Sequence, residues 1–167
     1  MLATHRRLAI CLLALAMLAT MIGVADSKKR HHITVAELVH DAHGRPNQCD
    51  FDHDKRWGPK QVQCAIRVVW PDNAEDAAVS VAYCESRFDP NSKNRSSTAS
   101  GLFQFLSGTW GGNPQFRKAF RQAKARGWSY GRSIHAAYRA VFDPVRNIKG
   151  ALWLYQQSGW SPWVCRP

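Results

Sequence analysis

Asp72-Asn-Ala-Glu75-Asp-Ala-Ala78-Val-Ser-Val81-Ala82-Tyr-Cys84-Glu85-Ser86-Arg-Phe88-Asp89-Pro90 is the stretch that organises this chain. Ala78, Val81 and Ala82 recur at helical spacing, and the next position on that face is Glu85. Asp72 with Glu75 three residues later predicts a capping-box-like start. Asp89-Pro90 predicts the stop, because the residue before proline disfavours the helical region. A carboxylate therefore stands where the period asks for an apolar side chain. Burial without a partner favours the protonated acid, and a helix C-terminus disfavours negative charge. Both effects point to a proton donor. Cys84 lies about 100° around the helix from Glu85. A disulfide at Cys84 is expected to fix the helix to the body while Glu85 faces a cleft.

Outward from this helix the chain reads mostly helical. Pro59 suits a first helical position, and Val62, Ala65, Ile66 and Val69 give a helix over 59–70 that Pro71 ends. Residues 91–100 are polar and predict a surface loop or hairpin. Gly101–Leu106 is apolar except for Gln104, and a buried amide must find a hydrogen-bond partner. A helix over about 115–126 carries Phe116, Phe120 and Ala123 on one side and Arg117, Lys118, Arg121, Lys124 and Arg126 on the other. Two more helices fit 132–142 and 144–157, the second capped by Asp143-Pro144. No internal repeat or inter-domain linker stands out.

The N-terminus looks like an export signal. Arg6 and Arg7 precede an apolar run, Leu8–Val24, that ends in Gly23 and Ala25. Cleavage after residue 25 would leave 142 of the 167 residues, with no stable membrane anchor. It would remove two of the 23 Lys+Arg and none of the 12 Asp+Glu, so the net charge falls from +11 to +9. An exported chain this basic is drawn to polyanions. Cys11 leaves with the signal. Four cysteines remain, and an even count outside the cell argues for two disulfides. They permit three pairings, of which Cys49–Cys64 and Cys84–Cys165 is the expected one. No CxxC pair is present, so zinc is not expected. His31, His32, His40 and His43 read as a solvated leader. Asp50, Asp52 and Asp54 lack the glycine and closing Glu of a calcium loop. The expected layout is a signal at 1–25, a partly helical extension at 26–71 and the main domain at 72–167.

Three motifs carry a family resemblance. Cys84-Glu85-Ser86-Arg87-Phe88-Asp89-Pro90 resembles Glu-Ser-x-Phe-x-Pro of the lytic transglycosylase SLT family, in the lysozyme-like superfamily. Ser100-Gly101-Leu102-Phe103-Gln104-Phe105 resembles its Gly-Leu-Met-Gln, with Phe for Met. Asp143-Pro144, Asn147-Ile148 and Gly150 resemble Asp-Pro-x-x-Asn-Ile-x-x-Gly. Cys-Glu-Ser and the late cysteine are also similar to actinobacterial resuscitation-promoting factors. The family's closing Ala-Tyr-Asn-x-Gly is replaced here by Ser158-Gly159-Trp160-Ser161-Pro162-Trp163.

The resemblance implies an α+β, mostly α-helical, lysozyme-like fold with a small β-hairpin or loop lobe. It implies Glu85 as catalytic acid, with Ser86 orienting it or touching substrate and Gln104 bonding the sugar. Phe103, Asn147, Tyr155 and Trp160 are the further candidates along the cleft, Asn147 mainly as a structural or lining residue. The expected substrate is peptidoglycan, cut between N-acetylmuramic acid and N-acetylglucosamine to leave 1,6-anhydro ends. No cofactor or metal is required, and a secreted, wall-associated monomer is expected. The basic helix face offers contact to anionic wall polymers. Three rivals stand beside this. A hydrolytic lysozyme needs a second carboxylate, for which Asp89 and Asp143 are poor fits. A wall-binding module needs no Glu85. A nucleic-acid or membrane binder leaves Glu85 and Gln104 unexplained.

Overall fold

The computed structural model describes residues 57–167. The export signal, the histidine-rich leader, the Asp50–Asp54 run and Cys49 lie outside the described residues. Cys64 is disulfide-bonded, and its expected partner Cys49 is among the residues not described.

The described chain is mostly helical. α1 is Pro59–Val69 and α2 is Asp72–Ser86. A loop-rich stretch follows, then the short α3, Ser107–Gly111. α4 is Pro114–Ala125 and α5 is Tyr130–Arg139. A 3-10 turn, Ala140–Phe142, leads into α6, Pro144–Ser158. Proline opens α1, α4 and α6 at the first turn, where its missing N–H costs nothing. α4 and α5 pair as a hairpin, and α1 packs against both α2 and α6.

One apolar core joins these elements. Val62, Ala65, Ile66, Ala78, Ala82, Ile148 and Ala151 are each 0% exposed. α1 precedes the motif-bearing part of the chain, yet its inner face lies wholly in this core. Trp70, directly after α1, is stacked between Phe103 and Trp160, with centroids at 5.8 and 5.4 Å.

One expectation changes. Asp72 is not the cap of α2. Pro71 takes that place without a side-chain cap, and Glu75 turns outward to accept from Arg67 at 2.8 Å. The exposed guanidinium of Arg67, which Asp76 also accepts from, outcompetes the reciprocal bonds of a capping box. Of the loop and the hairpin expected at 91–100, the described chain forms the loop. Isolated bridges, Lys93 with Ser100 and Ser100 with Phe105, stand in place of a hairpin. The Asn94 and Ser97 side chains accept from the backbone N–H groups of Ser96 and Ala99, which competes with a strand ladder.

Candidate active site

Glu85 sits one residue before the end of α2. It is partly buried, and its Oε1 accepts from the backbone N–H of Cys165 at 3.2 Å. Oε2 has no protein partner among the described residues. Cys84 is bonded to Cys165, with Cα atoms 6.0 Å apart. The two neighbours were expected to face different surroundings. Instead Cys84 is exposed, and both contact one residue. Cys165 bridges the rotation between them, with its sulfur on one side and its backbone N–H on the other.

The tail that delivers Cys165 follows a fixed path. Gly159, at φ +56, ends α6 with its N–H on the Tyr155 carbonyl at 2.7 Å. Only glycine takes such a backbone freely. Trp163 then enters the core at 4% exposure and donates its indole N–H to the Phe103 carbonyl at 3.0 Å. Sequence reasoning missed the Cys165 amide, since the cysteine pattern placed the tail near α2 without revealing which backbone group would meet Glu85.

Gln104 belongs to a turn held from below. Asn147 is fully buried and bridges two backbones. Its Oδ1 accepts from Phe103 N–H at 2.9 Å and its Nδ2 donates to the Val141 carbonyl at 2.7 Å. Gly101, at φ +80, lies against the Asn147 amide, and an added Cβ would come within 2.5 Å of the Val141 carbonyl. Phe103 is therefore gripped on both sides, by Asn147 and by Trp163. Gln104 itself adopts φ +46, and its Nε2 donates to the Gly101 carbonyl at 2.8 Å. Its Oε1 has no partner among the described residues.

The remaining candidates fall in the frame. Phe103 is 0% exposed, so its ring offers no face to a ligand. Asn147 is fully engaged and fully buried, which fits a structural role and leaves it no cleft surface. Ser86 is buried and donates to the Ala82 carbonyl at 3.0 Å instead of orienting Glu85. Tyr155 and Trp160 are half-buried and pack on each other and on Trp70, with centroids 4.6, 5.3 and 5.4 Å apart. They join the aromatic stack beneath the tail.

Backbone strain gathers at the same place. Among the described residues the non-glycine positions with positive φ are Arg87 (55°), Phe88 (62°) and Gln104 (46°). Each costs about 1–2 kcal/mol for an L-residue. Such strain persists where packing enforces it and is common at active sites. Arg87 lies 4.5 Å over the Tyr83 ring, and Phe88 is buried beside the same ring.

Residues 71–158 match the transglycosylase SLT domain. The chain belongs to that family. Its lysozyme-like, mostly helical character and its peptidoglycan transglycosylase-type activity follow at family level. The match contains Glu85, the Gln104 turn and Asn147 but ends before Gly159, so the tail that contacts Glu85 lies beyond it. Neither the curated proteins nor the solved structures give a match.

The other carboxylates near this region have different employment. Asp89 Oδ1 accepts from Asn91 N–H at 3.0 Å within the exit turn. Asp143 Oδ1 accepts from Arg146 N–H at 2.9 Å as the cap of α6, and burial raises its pKa above the usual carboxylate value. Asp72, Glu75 and Asp76 are at the far end of α2. Even Asp76 is about 13.5 Å from Glu85 along the axis at 1.5 Å per residue.

Proposed function

We propose that the chain is an exported enzyme that cleaves the glycan strands of peptidoglycan, with Glu85 as its single acid and base. The observation that carries this is the Glu85 carboxylate. One oxygen is held by the Cys165 amide, and the other, at the end of a helix, has no partner among the described residues. Such a group can give and take a proton without losing its position. Protonated at Oε2, Glu85 donates to the oxygen linking N-acetylmuramic acid to N-acetylglucosamine. The bond from that oxygen to the muramyl C1 breaks. Glu85, now a carboxylate, takes the proton of the muramyl 6-hydroxyl, and O6 bonds to C1. A 1,6-anhydro end forms, no water is consumed, and Glu85 is protonated again. The substrate's N-acetyl oxygen stabilises the developing cation. Gln104 Oε1 serves as an acceptor for a sugar hydroxyl or amide.

The use of Asp143 as the cap of α6 supports this over hydrolysis. A hydrolase pair needs a second carboxylate at roughly 5–9.5 Å. Mass spectrometry of peptidoglycan digested by the full chain tests the chemistry. Anhydro ends are expected, and hydrated reducing ends would overturn the single-acid route. Glu85→Gln is expected to slow cleavage by about 10²–10⁴-fold, the usual contribution of a general acid, with the fold unchanged. A variant as fast as wild type would remove Glu85 from the chemistry. Export rests on the Arg6-Arg7 and Leu8–Val24 pattern, and the secreted protein is expected to begin at Asp26.

A further inference from the structure

A cavity of about 190 Å³ opens between the Thr98–Ser107 segment and the end of α5. Phe105, Trp110 and Val141 form its floor, at 3, 1 and 5% exposure. Ser107 lies on one rim, and His135 and Arg139 on the other. Glu85 and Gln104 are not part of its wall. Phe105, which does line it, directly follows Gln104 in the chain.

Among the described residues that line the cavity, Arg139 and His135 are the basic side chains and no carboxylate is present. Between Asp89 and Asp143 the chain holds nine Lys and Arg and no acidic residue. Those two flanking aspartates are held by Asn91 and Arg146. Arg132, His135 and Arg139 follow one another at helical spacing and share a face of α5. This stripe runs into the cavity rim. Lys93 stands nearby with its Nζ 5.0 Å from the Phe142 ring, which also lines the cavity. Arg139 is exposed and makes no ion pair among the described residues.

We infer that this cavity is a second substrate site, which holds the carboxylate-bearing peptide stem of the wall strand that Glu85 cuts. The inference rests on the glycan-cleaving role proposed above. The stem hangs from the lactyl group of N-acetylmuramic acid and carries small side chains, amides and free carboxylates. Those features match the aromatic floor, the hydroxyl rim and Arg139 in turn. The size also fits. Sites for drug-sized ligands occupy about 300–1,000 Å³, so this one suits one or two small residues. A phosphodiester polymer would satisfy the cations but has nothing apolar to set against Phe105 and Trp110.

The test uses the full chain on two substrates, strands with their stems and the same strands stripped by an amidase. Wild type is expected to cleave the stemmed strands with kcat/KM about tenfold higher, the scale of one charge-assisted hydrogen bond. Arg139→Gln, at an exposed position, is expected to abolish that preference and leave cleavage of stripped strands unchanged. Equal loss on both substrates, or loss on neither, would overturn the inference. A free acidic stem tetrapeptide should also quench tryptophan fluorescence in wild type and not in Arg139→Gln. Displacement of that peptide by a wall phosphodiester polymer at equal charge concentration would assign the site to the polymer instead. Failure to cleave either strand would refute the enzymatic role alone, because the peptide titration reads the cavity independently.

Discussion

The Gln104 turn and the Glu85 contact hold their side chains in opposite ways. The turn rests on Asn147, which ties Phe103 and Val141 together through two buried hydrogen bonds. Gly101 fits against it without room for a Cβ. All of these residues lie inside the region that matches the family. Glu85 is positioned from outside that region, by one disulfide and one backbone hydrogen bond from the tail. The first arrangement is conventional packing and depends on the whole core. The second is a covalent clamp at the chain end, so it responds to redox conditions and can be released while the core stays formed.

Cutting the clamp is expected to have the largest effect on stability. Cys84 and Cys165 are 81 residues apart, and losing a crosslink of that span costs about 2–4 kcal/mol. Cys165→Ser should lower the urea midpoint accordingly, and reduction of wild type, which also opens the Cys64 disulfide, should lower it at least as far. Specific activity of the molecules still folded should fall as well, because Glu85 Oε1 loses its donor. Undiminished activity per folded molecule after reduction would mean that the tail contributes stability alone.

Removing the bridge under Gln104 comes next. Asn147→Ala leaves the Phe103 N–H and the Val141 carbonyl buried without partners. At about 1–3 kcal/mol for such a group, a loss of roughly 3 kcal/mol is expected in denaturant unfolding. Asn147→Asp keeps the acceptor but turns the Val141 carbonyl against a carboxylate, so it should not rescue. The comparison would fail if Asn147→Ala lowered activity per folded molecule while stability held, since the turn would then be a contact surface and not a buried support.

The residues that sequence reasoning placed well are those with local causes. The helices over 59–69, 114–125 and 144–158 follow from apolar spacing and first-turn prolines, with ends within a residue or so of expectation. Asp143 announces itself as a cap. The Cys84–Cys165 bond, across 81 residues, is the exception: the even cysteine count gives two disulfides in three possible pairings, of which this is the favoured one. The residues that were misplaced have distant causes. Asn147 has the structural role expected of it, whereas Phe103 stands in a motif that suggests a cleft but is held by Asn147 and Trp163, 44 and 60 residues away, and is buried. Trp160 and Tyr155 suit a sugar face by composition, yet Trp70 claims both rings. Ser86 follows Glu85 in the motif, but a hydroxyl one turn from a free carbonyl bonds back along its own helix. Leu106 belongs to the apolar Gly101–Leu106 segment, yet it is half-exposed.

The smallest expected effect separates charge from geometry at Asp143, where the third motif begins. Its carboxylate caps α6 and lies 3.8 Å from the largely buried Arg146 side chain. Burial raises its pKa, and the bonds to Arg146 only partly offset that. The folded chain thus keeps this proton to a higher pH than the unfolded chain does. The contribution of the group to stability is full below the ordinary carboxylate value and declines as pH rises through the raised one. Asp143→Asn keeps an acceptor for Arg146 N–H and has no proton to lose. The wild-type minus Asp143→Asn difference in unfolding free energy should fall as pH rises from the ordinary carboxylate value through the raised one and be flat above. Asp143→Ala also loses the cap, at about 1 kcal/mol, independent of pH. A difference that rises across that interval would mean that Arg146 outweighs burial. The third motif would then be held by an ion pair, as the Glu85 end is held by a bond, and the contrast between the two regions would narrow to the Asn147 bridge alone.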